Sequence, residues 1–325
     1  MKRLLTIMIA AVLICAQNAC AAPVCIKDSD IGKQLDLPIY EWVDTSKRRA
    51  GVIVAVHGLT LYAFAWDKLA TRLAQKGYRV FALDQRGFGR WRTEGTKYNG
   101  NDKIEIGQSQ QDLLDLLTTL RQANPDQKLF CLGESLGANM CLSLASEHPE
   151  LCDGAILSAP CHKRRHHPKL RTALDVAEEI VEPNKPLNLA PFSEPYLTND
   201  PALAQACNND PGIYRKMTPV ELVKVDLLCN RAFAQAKTLP ADYSLLIIAG
   251  TADAMFKQSE LPKAVKEFGT HNATVTLLPG KGHLLLEHQA VNPSIFAPLD
   301  SWLNVRSSAS AVAVSPKTTD KTGVE

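Results

Sequence analysis

Apolar residues fall along this chain in short blocks. Largely apolar runs rich in β-branched residues occupy positions 52–56, 78–83, 129–132, 155–157, 245–249 and 274–278. Such runs, without strict alternation, suit strands covered on both faces. Between them the spacing turns helical, at 66–75 and again at 110–121 through Leu113, Leu114, Leu116, Leu117 and Leu120. Strand and helix in alternation predict a mostly parallel sheet with helices on both faces.

The alternation breaks once. Residues 161–240 show no strand pattern. They open on a basic cluster, His162-Lys163-Arg164-Arg165-His166-His167, and carry many prolines. A helix is predicted from Thr218-Pro219, with Glu221 completing a capping box and proline at the first helical position. Its apolar stripe is Leu222, Val225, Cys229, Ala232 and Phe233. An insertion of about 80 residues is too long for an ordinary connection. It predicts a helical cap over the C-terminal edge of the sheet, where open α/β folds bind ligands. Leu222 and Phe233 are the candidate substrate-binding residues on it.

The ends read differently. Lys2 and Arg3 precede an apolar stretch, 4–16, broken only by Thr6. The stretch is shorter than the ~20 residues a membrane span needs. Ala19-Cys20-Ala21 follows, so residues 1–21 read as a signal peptide cut after Ala21, which exports the chain to the periplasm or the exterior. Lipidation at Cys20 is the minority alternative, disfavoured by Gln17. Residues 306–325 have no period that could bury a face and read as a disordered tail, leaving 22–305 as the folded domain.

Composition adds limits. The chain has 325 residues, 46% of them hydrophobic, enough for one large core and a subdomain. Lysine and arginine number 36 against 34 acidic residues, a balance that offers no handle for nucleic acid. Nothing here bears on oligomeric state. Export would place seven cysteines in an oxidising compartment: Cys25, Cys131, Cys141, Cys152, Cys161, Cys207 and Cys229. No pair has metal spacing. Cys131 and Cys141 read as small core residues, Cys152 and Cys161 lie at opposite ends of one strand, and Cys207 with Cys229 is one candidate disulfide, with the connectivity left open.

The chemistry centres on Gly133-Glu134-Ser135-Leu136-Gly137, which follows a predicted strand and opens a helical run at 138–146. That context makes Ser135 a nucleophile on a tight strand-to-helix turn. An acid and then a base should follow it in chain order. Asp253, in Gly250-Thr251-Ala252-Asp253, stands just past the run at 245–249. His283, in Gly280-Lys281-Gly282-His283, stands just past the last run. His271 precedes that run, and His288 lies further along. Asp226 falls on the cap helix, and Asp300 follows every candidate histidine. Val56-His57-Gly58-Leu59 ends the first run, so the backbone N–H groups of Leu59 and Leu136 are the candidate oxyanion donors. His57 reads as a loop-shaping residue with no catalytic role. No metal or organic cofactor is required.

These motifs, with Asp84-Gln85-Arg86-Gly87-Phe88-Gly89, resemble the monoacylglycerol lipase and lysophospholipase group of α/β-hydrolases from about residue 50 to 303. The resemblance implies the α/β-hydrolase fold and hydrolysis of a lipid-like acyl ester through an acyl-enzyme on Ser135. Two features depart from the family: Arg90-Trp91, where it carries Arg-Ser, and the basic opening of the cap. Both bear on the substrate. Two other readings stand beside this one. A serine aminopeptidase on the same fold would need acidic residues for the substrate amine, and Glu178, Glu179 and Glu182 are candidates. A non-catalytic binding protein on a hydrolase scaffold would be expected to lack a triad member. An unperturbed histidine base would set the acid limb of the rate profile between about pH 5 and 8.

Overall fold

The computed structural model describes residues 22–165, 182–288 and 292–308. Residues 1–21, with the signal-peptide reading that falls on them, His166, His167, Glu178, Glu179 and residues 309–325 lie outside them.

Eight strands form one sheet in the order β1-β2-β4-β3-β5-β6-β9-β10. They are β1 (Val24–Ile26), β2 (Ile39–Val43), β3 (Gly51–Val56), β4 (Tyr78–Leu83), β5 (Leu129–Glu134), β6 (Gly154–Ser158), β9 (Leu245–Gly250) and β10 (Ala273–Leu278). From β4 through β10 every pairing is parallel, while β1 and β2 pair antiparallel at one edge. All six predicted strands are present. The two that the sequence did not announce are the edge pair. β1 is exposed along its length, and β2 interrupts its apolar residues with Glu41, which pairs with Arg79.

Apolar runs without alternation follow from burial on both faces. Val52, Val54 and Val56 of β3 enter one core, and Ile53 and Ala55 enter the other. Helices α1 (Asp30–Leu35), α4 (Ile106–Ala123) and α5 (Leu136–Glu147) cover the first face. Helices α2 (Asp67–Ala74) and α10 (Pro293–Ser308) cover the second, with Phe296, Leu299 and Trp302 against the sheet. Short α3 (Arg90–Glu94) and α9 (Leu261–Val265) complete the layers. The reading of residues 306–325 as a disordered tail needs correction at its start. α10 runs to Ser308, and Arg306 stacks on the Trp302 ring and bonds to Asn272. The polar composition hid a last helical turn that is held by an aromatic face, not by an apolar stripe.

β6 and β9 are adjacent in the sheet, yet 86 residues separate Ser158 from Leu245. That excursion carries α6 (Ala190–Leu197), α7 (Pro201–Asn209) and α8 (Pro219–Gln235). The Thr218–Glu221 capping box is formed, with proline in the first turn of α8. The insertion is not free of strand as expected: β7 (Leu187–Asn188) and β8 (Lys216–Met217) make an antiparallel pair. Two residues per strand are too few to leave a period in the sequence. Among the described residues, no helix is long and apolar enough to cross a membrane.

Candidate active site

The parallel strands all end at one edge, and the candidate residues leave from those ends. β5 runs into Ser135, which takes φ 54° and caps α5. This left-handed conformation is rare for a side-chain-bearing residue. It is enforced by packing. A Cβ on Gly137 would stand 2.0 Å from the Val56 carbonyl oxygen, and one on Gly133 would stand 2.3 Å from Gly137. Only glycine on both sides lets α5 start this close to β3.

β10 leads to His283 and β9 to Asp253. The structure brings Ser135, His283 and Asp253 into one hydrogen-bonded chain: Ser135 Oγ lies 2.9 Å from His283 Nε2, and His283 Nδ1 lies 2.7 Å from Asp253 Oδ2. Histidine and aspartate are each 1% exposed. The backbone N–H groups of Met255 and Phe256 and the Gln258 side chain also donate to the Asp253 carboxylate. Burial works against its charge, but His283 beside it, with the Gln258 and Phe256 hydrogen bonds, outweighs this and holds its pKa down. Burial works against a charged His283, but the Asp253 carboxylate and its hydrogen bond outweigh it and raise the imidazole pKa to about 9. The expectation of an ordinary histidine is therefore corrected upward.

Leu59 and Leu136 both line the cavity in front of Ser135. As the first residue of α5, Leu136 has an N–H with no intrahelical acceptor. Among the described residues, neither N–H is given to another protein group. His57 shapes this loop from beneath. Its Nε2 accepts the Gln85 N–H at 3.0 Å, so Nδ1 carries the proton toward the Gly58 carbonyl at 2.8 Å. Burial lowers its pKa to about 4.

Two further carboxylates went unnoticed in the sequence. Glu134, wholly buried beside the nucleophile, accepts the N–H groups of Leu285, Leu286 and Glu287 and the Ser158 hydroxyl. Glu287 accepts the Gly58 N–H at 3.0 Å. Burial pushes both above the usual carboxylate range, and the charge of Glu134 pushes Glu287 further. The one available signal was a charged residue at the end of an otherwise apolar strand.

In front of Ser135 lies a cavity of about 560 Å³, within the range of small-ligand sites. Leu61, Leu136, Met255 and Leu284 line its base, and Leu189, Leu197 and Ile213 contribute from the insertion. Of the predicted stripe, Leu222, Val225, Cys229 and Phe233 face the cavity, while Ala232 is turned into the core. Phe233 also packs: its ring stacks on His162 at 4.5 Å and meets Phe268 edge-on. The basic opening folds onto the acid loop, with the Arg165 N–H on Met255 O and the Lys257 N–H on Lys163 O. Lys163 pairs with Glu260, and Arg164 with Asp226. Arg90-Trp91, the departure from the family motif, lies away from the cavity. Arg90 is buried against Asp84 and Asp28, Trp91 donates to the Asp84 carbonyl, and neither lines the cavity. The expected Cys207–Cys229 pairing is also absent. Cys207 sits in a small core with Leu203 and Ile213, and all seven described cysteines are free. His271 is exposed, and His288 pairs with Asp210.

Fold and edge geometry together define an α/β-hydrolase. The chain belongs to the family described as Hydrolase_4 (Serine aminopeptidase, S33), whose model matches residues 47–289. It is similar to the putative monoglyceride lipase of Schizosaccharomyces pombe, 27% identical over 297 residues that cover 87% of this chain and 75% of that one. It is 25% identical to the monoglyceride lipase of Homo sapiens, over 85% of this chain and 89% of the relative. A soluble variant of monoglyceride lipase from Saccharomyces cerevisiae, solved with a substrate analog, superposes with a TM-score of 0.68 at 18% identity, over 82% and 92% of the two chains.

A raised histidine pKa predicts the sign of the pH dependence. His283 accepts a proton only when neutral, so kcat/KM falls as pH drops through the raised value, above the ordinary ~6.5. Asp253→Asn removes the anion, leaves burial unopposed and moves the limb downward, while slowing turnover by about 10⁴. A pH series on both proteins checks the direction. A limb below pH 6 in the parent would contradict it.

Proposed function

We propose that this chain is a serine carboxylic-ester hydrolase of the monoacylglycerol lipase type. The observation that carries the reading is the Ser135–His283–Asp253 chain opening onto an apolar cavity with two unengaged N–H groups beside the serine. Ser135 attacks the ester carbonyl as His283 Nε2 takes its proton. Asp253 keeps the other ring nitrogen protonated and stabilises the imidazolium. The N–H groups of Leu59 and Leu136 receive the developing oxyanion. His283 returns the proton to the leaving alcohol, and water repeats the sequence on the acyl-enzyme.

The apolar walls suit an acyl chain, and the relatives named above are monoglyceride lipases. The family description raises the aminopeptidase reading, which needs a carboxylate free to meet a substrate ammonium. The described carboxylates on the cavity are engaged, Asp226 with Arg164 and Glu287 with the Gly58 N–H. This favours a neutral ester.

A fluorophosphonate probe is expected to label the protein once, at Ser135. Ser135→Ala is expected to lose both labelling and hydrolysis of monoacylglycerol while melting like the parent. In a panel with lysophospholipid and aminoacyl amides, faster amide than ester cleavage would reject the ester reading.

Phe233 is the second assignment to test. If it forms the acyl wall, Phe233→Ala shifts preference among short and long acyl esters and spares turnover of an acetyl ester. If it only packs, the change costs about 3–5 kcal/mol of stability without reordering substrates.

We further propose that the chain is exported, on the strength of its basic, apolar and small-residue leader. N-terminal sequencing of mature protein should begin at Ala22. An intact Met1 or a lipidated Cys20 would overturn the soluble, exported form.

A further inference from the structure

The mechanism above leaves two sulfur atoms in the cavity wall without a task. Cys161 follows β6, is half-buried, and places its Sγ 3.5 Å from Ser135 Oγ. Cys229 lies on α8, and both residues line the cavity.

This juxtaposition is held by one side chain. Asn139, buried on α5, accepts the Cys161 N–H on Oδ1 at 2.8 Å. Its Nδ2 donates to the Cys161 carbonyl at 3.0 Å and to the Cys229 carbonyl at 3.3 Å. A single amide nitrogen reaches both only if the loop after β6 and the cap helix run side by side. Asn139 sits one helical turn beyond Ser135, so the clamp is registered to the nucleophile.

The two thiols differ. The neighbouring Cys229 thiol holds the Cys161 thiol below its usual pKa against the effect of burial, with help from His283, Ser135 and Arg164. The Cys161 thiol, with burial, pushes Cys229 well above. Other cysteines lack this activation: burial raises Cys25 to about 11 and Cys207 to about 12, and pushes Cys131 and Cys152 well up. Thiolate character and access select the sulfur that reacts.

We propose that Cys161 and Cys229 form a dithiol modification site in the cavity wall for small neutral disulfides, with Cys161 the attacking thiol and Cys229 the resolving one. The Cys161 thiolate attacks one sulfur of the disulfide RSSR, the S–S bond breaks, and RSH leaves with the thiol proton. The Cys229 sulfur then attacks Cys161 Sγ, the mixed disulfide breaks, a Cys161–Cys229 bond forms, and a second RSH leaves. Two cysteine thiols lose two electrons and two protons, and the small disulfide gains them. The mixed disulfide stands against Ser135 Oγ, where the acyl group must lie. The internal disulfide ties the cap helix to the loop after β6. Both forms stop acylation, and a reductant restores it. The effect on acylation rests on the ester-hydrolase reading, whereas the thiol chemistry does not.

The test uses the purified full chain and bis(2-hydroxyethyl) disulfide. Remaining thiols are blocked with N-ethylmaleimide, and peptides are mapped without reduction, in parallel with p-nitrophenyl ester turnover. The expected result is a linked Cys161–Cys229 peptide and a loss of turnover of about 100-fold, the scale of ångström-sized displacement of reacting groups. Dithiothreitol should reverse both. Cys229→Ser should trap the mixed disulfide at Cys161, and Cys161→Ser should keep its own untreated rate after exposure. The proposal is overturned if treated parent protein yields Cys161 wholly as its maleimide adduct or linked to another cysteine. It is equally overturned if Cys161→Ser loses as much activity as the parent. A linked peptide in a protein without ester turnover would uphold the thiol site and reject the ester reading instead.

Discussion

Close approach of α5 to the end of β3 is the constraint on which the site depends. Gly137 lies against the Val56 carbonyl with no room for a side chain, and Gly133 lies against Gly137. This contact turns the chain through a left-handed serine at the top of β5, directly before the first N–H of α5. The proposed nucleophile and one proposed oxyanion donor are thus neighbours through a single steric requirement. The strain at Ser135 persists because the central strands around it are buried on both faces and cannot relax.

Buried carboxylates then join the separate loops into one rigid edge. Glu134 immediately precedes the nucleophile, yet its hydrogen bonds reach Leu285, Leu286 and Glu287, just past the base. Glu287 in turn holds Gly58, next to Leu59, the other oxyanion donor proposed. A buried carboxylate is costly unless it is fully hydrogen-bonded. That cost is what locks each loop in place: moving any of them leaves a buried polar group without its partner. His283 sits inside this arrangement. Its proton affinity is raised by Asp253 despite burial, so the base is strong and shielded from water.

Above the edge, the described part of the insertion contributes cavity walls. Its helix α8 packs on α5 through Ser143–Gln235 and Glu147–Arg231 contacts, and through the Asn139 clamp. The cap is therefore tied to the helix that carries the nucleophile at its start. Lys163, Arg164 and Arg165 of the basic opening are spent on ion pairs with Glu260 and Asp226 and on backbone pairing with the acid loop, and the cavity surface is mostly apolar.

Much of this was legible in the residues themselves. Central strands announce themselves because two-sided burial demands unbroken apolar runs. Ser135, Asp253 and His283 can be found from chain order because each loop leaves the end of one such strand. The capping box of α8 is local chemistry within four residues and reads directly. What depends on distant partners does not. Glu134 meets the loop that donates to it across 151 residues or more, and Asn139 meets Cys229 across 90. Nothing in the local pattern around Cys229 favours Cys161 over Cys207 as its neighbour. The rise in the His283 pKa, the engagement of Arg90 away from the cavity and the last turn of α10 have the same origin. Each is set by which groups share a buried volume once the sheet has closed, and that is a property of tertiary packing alone.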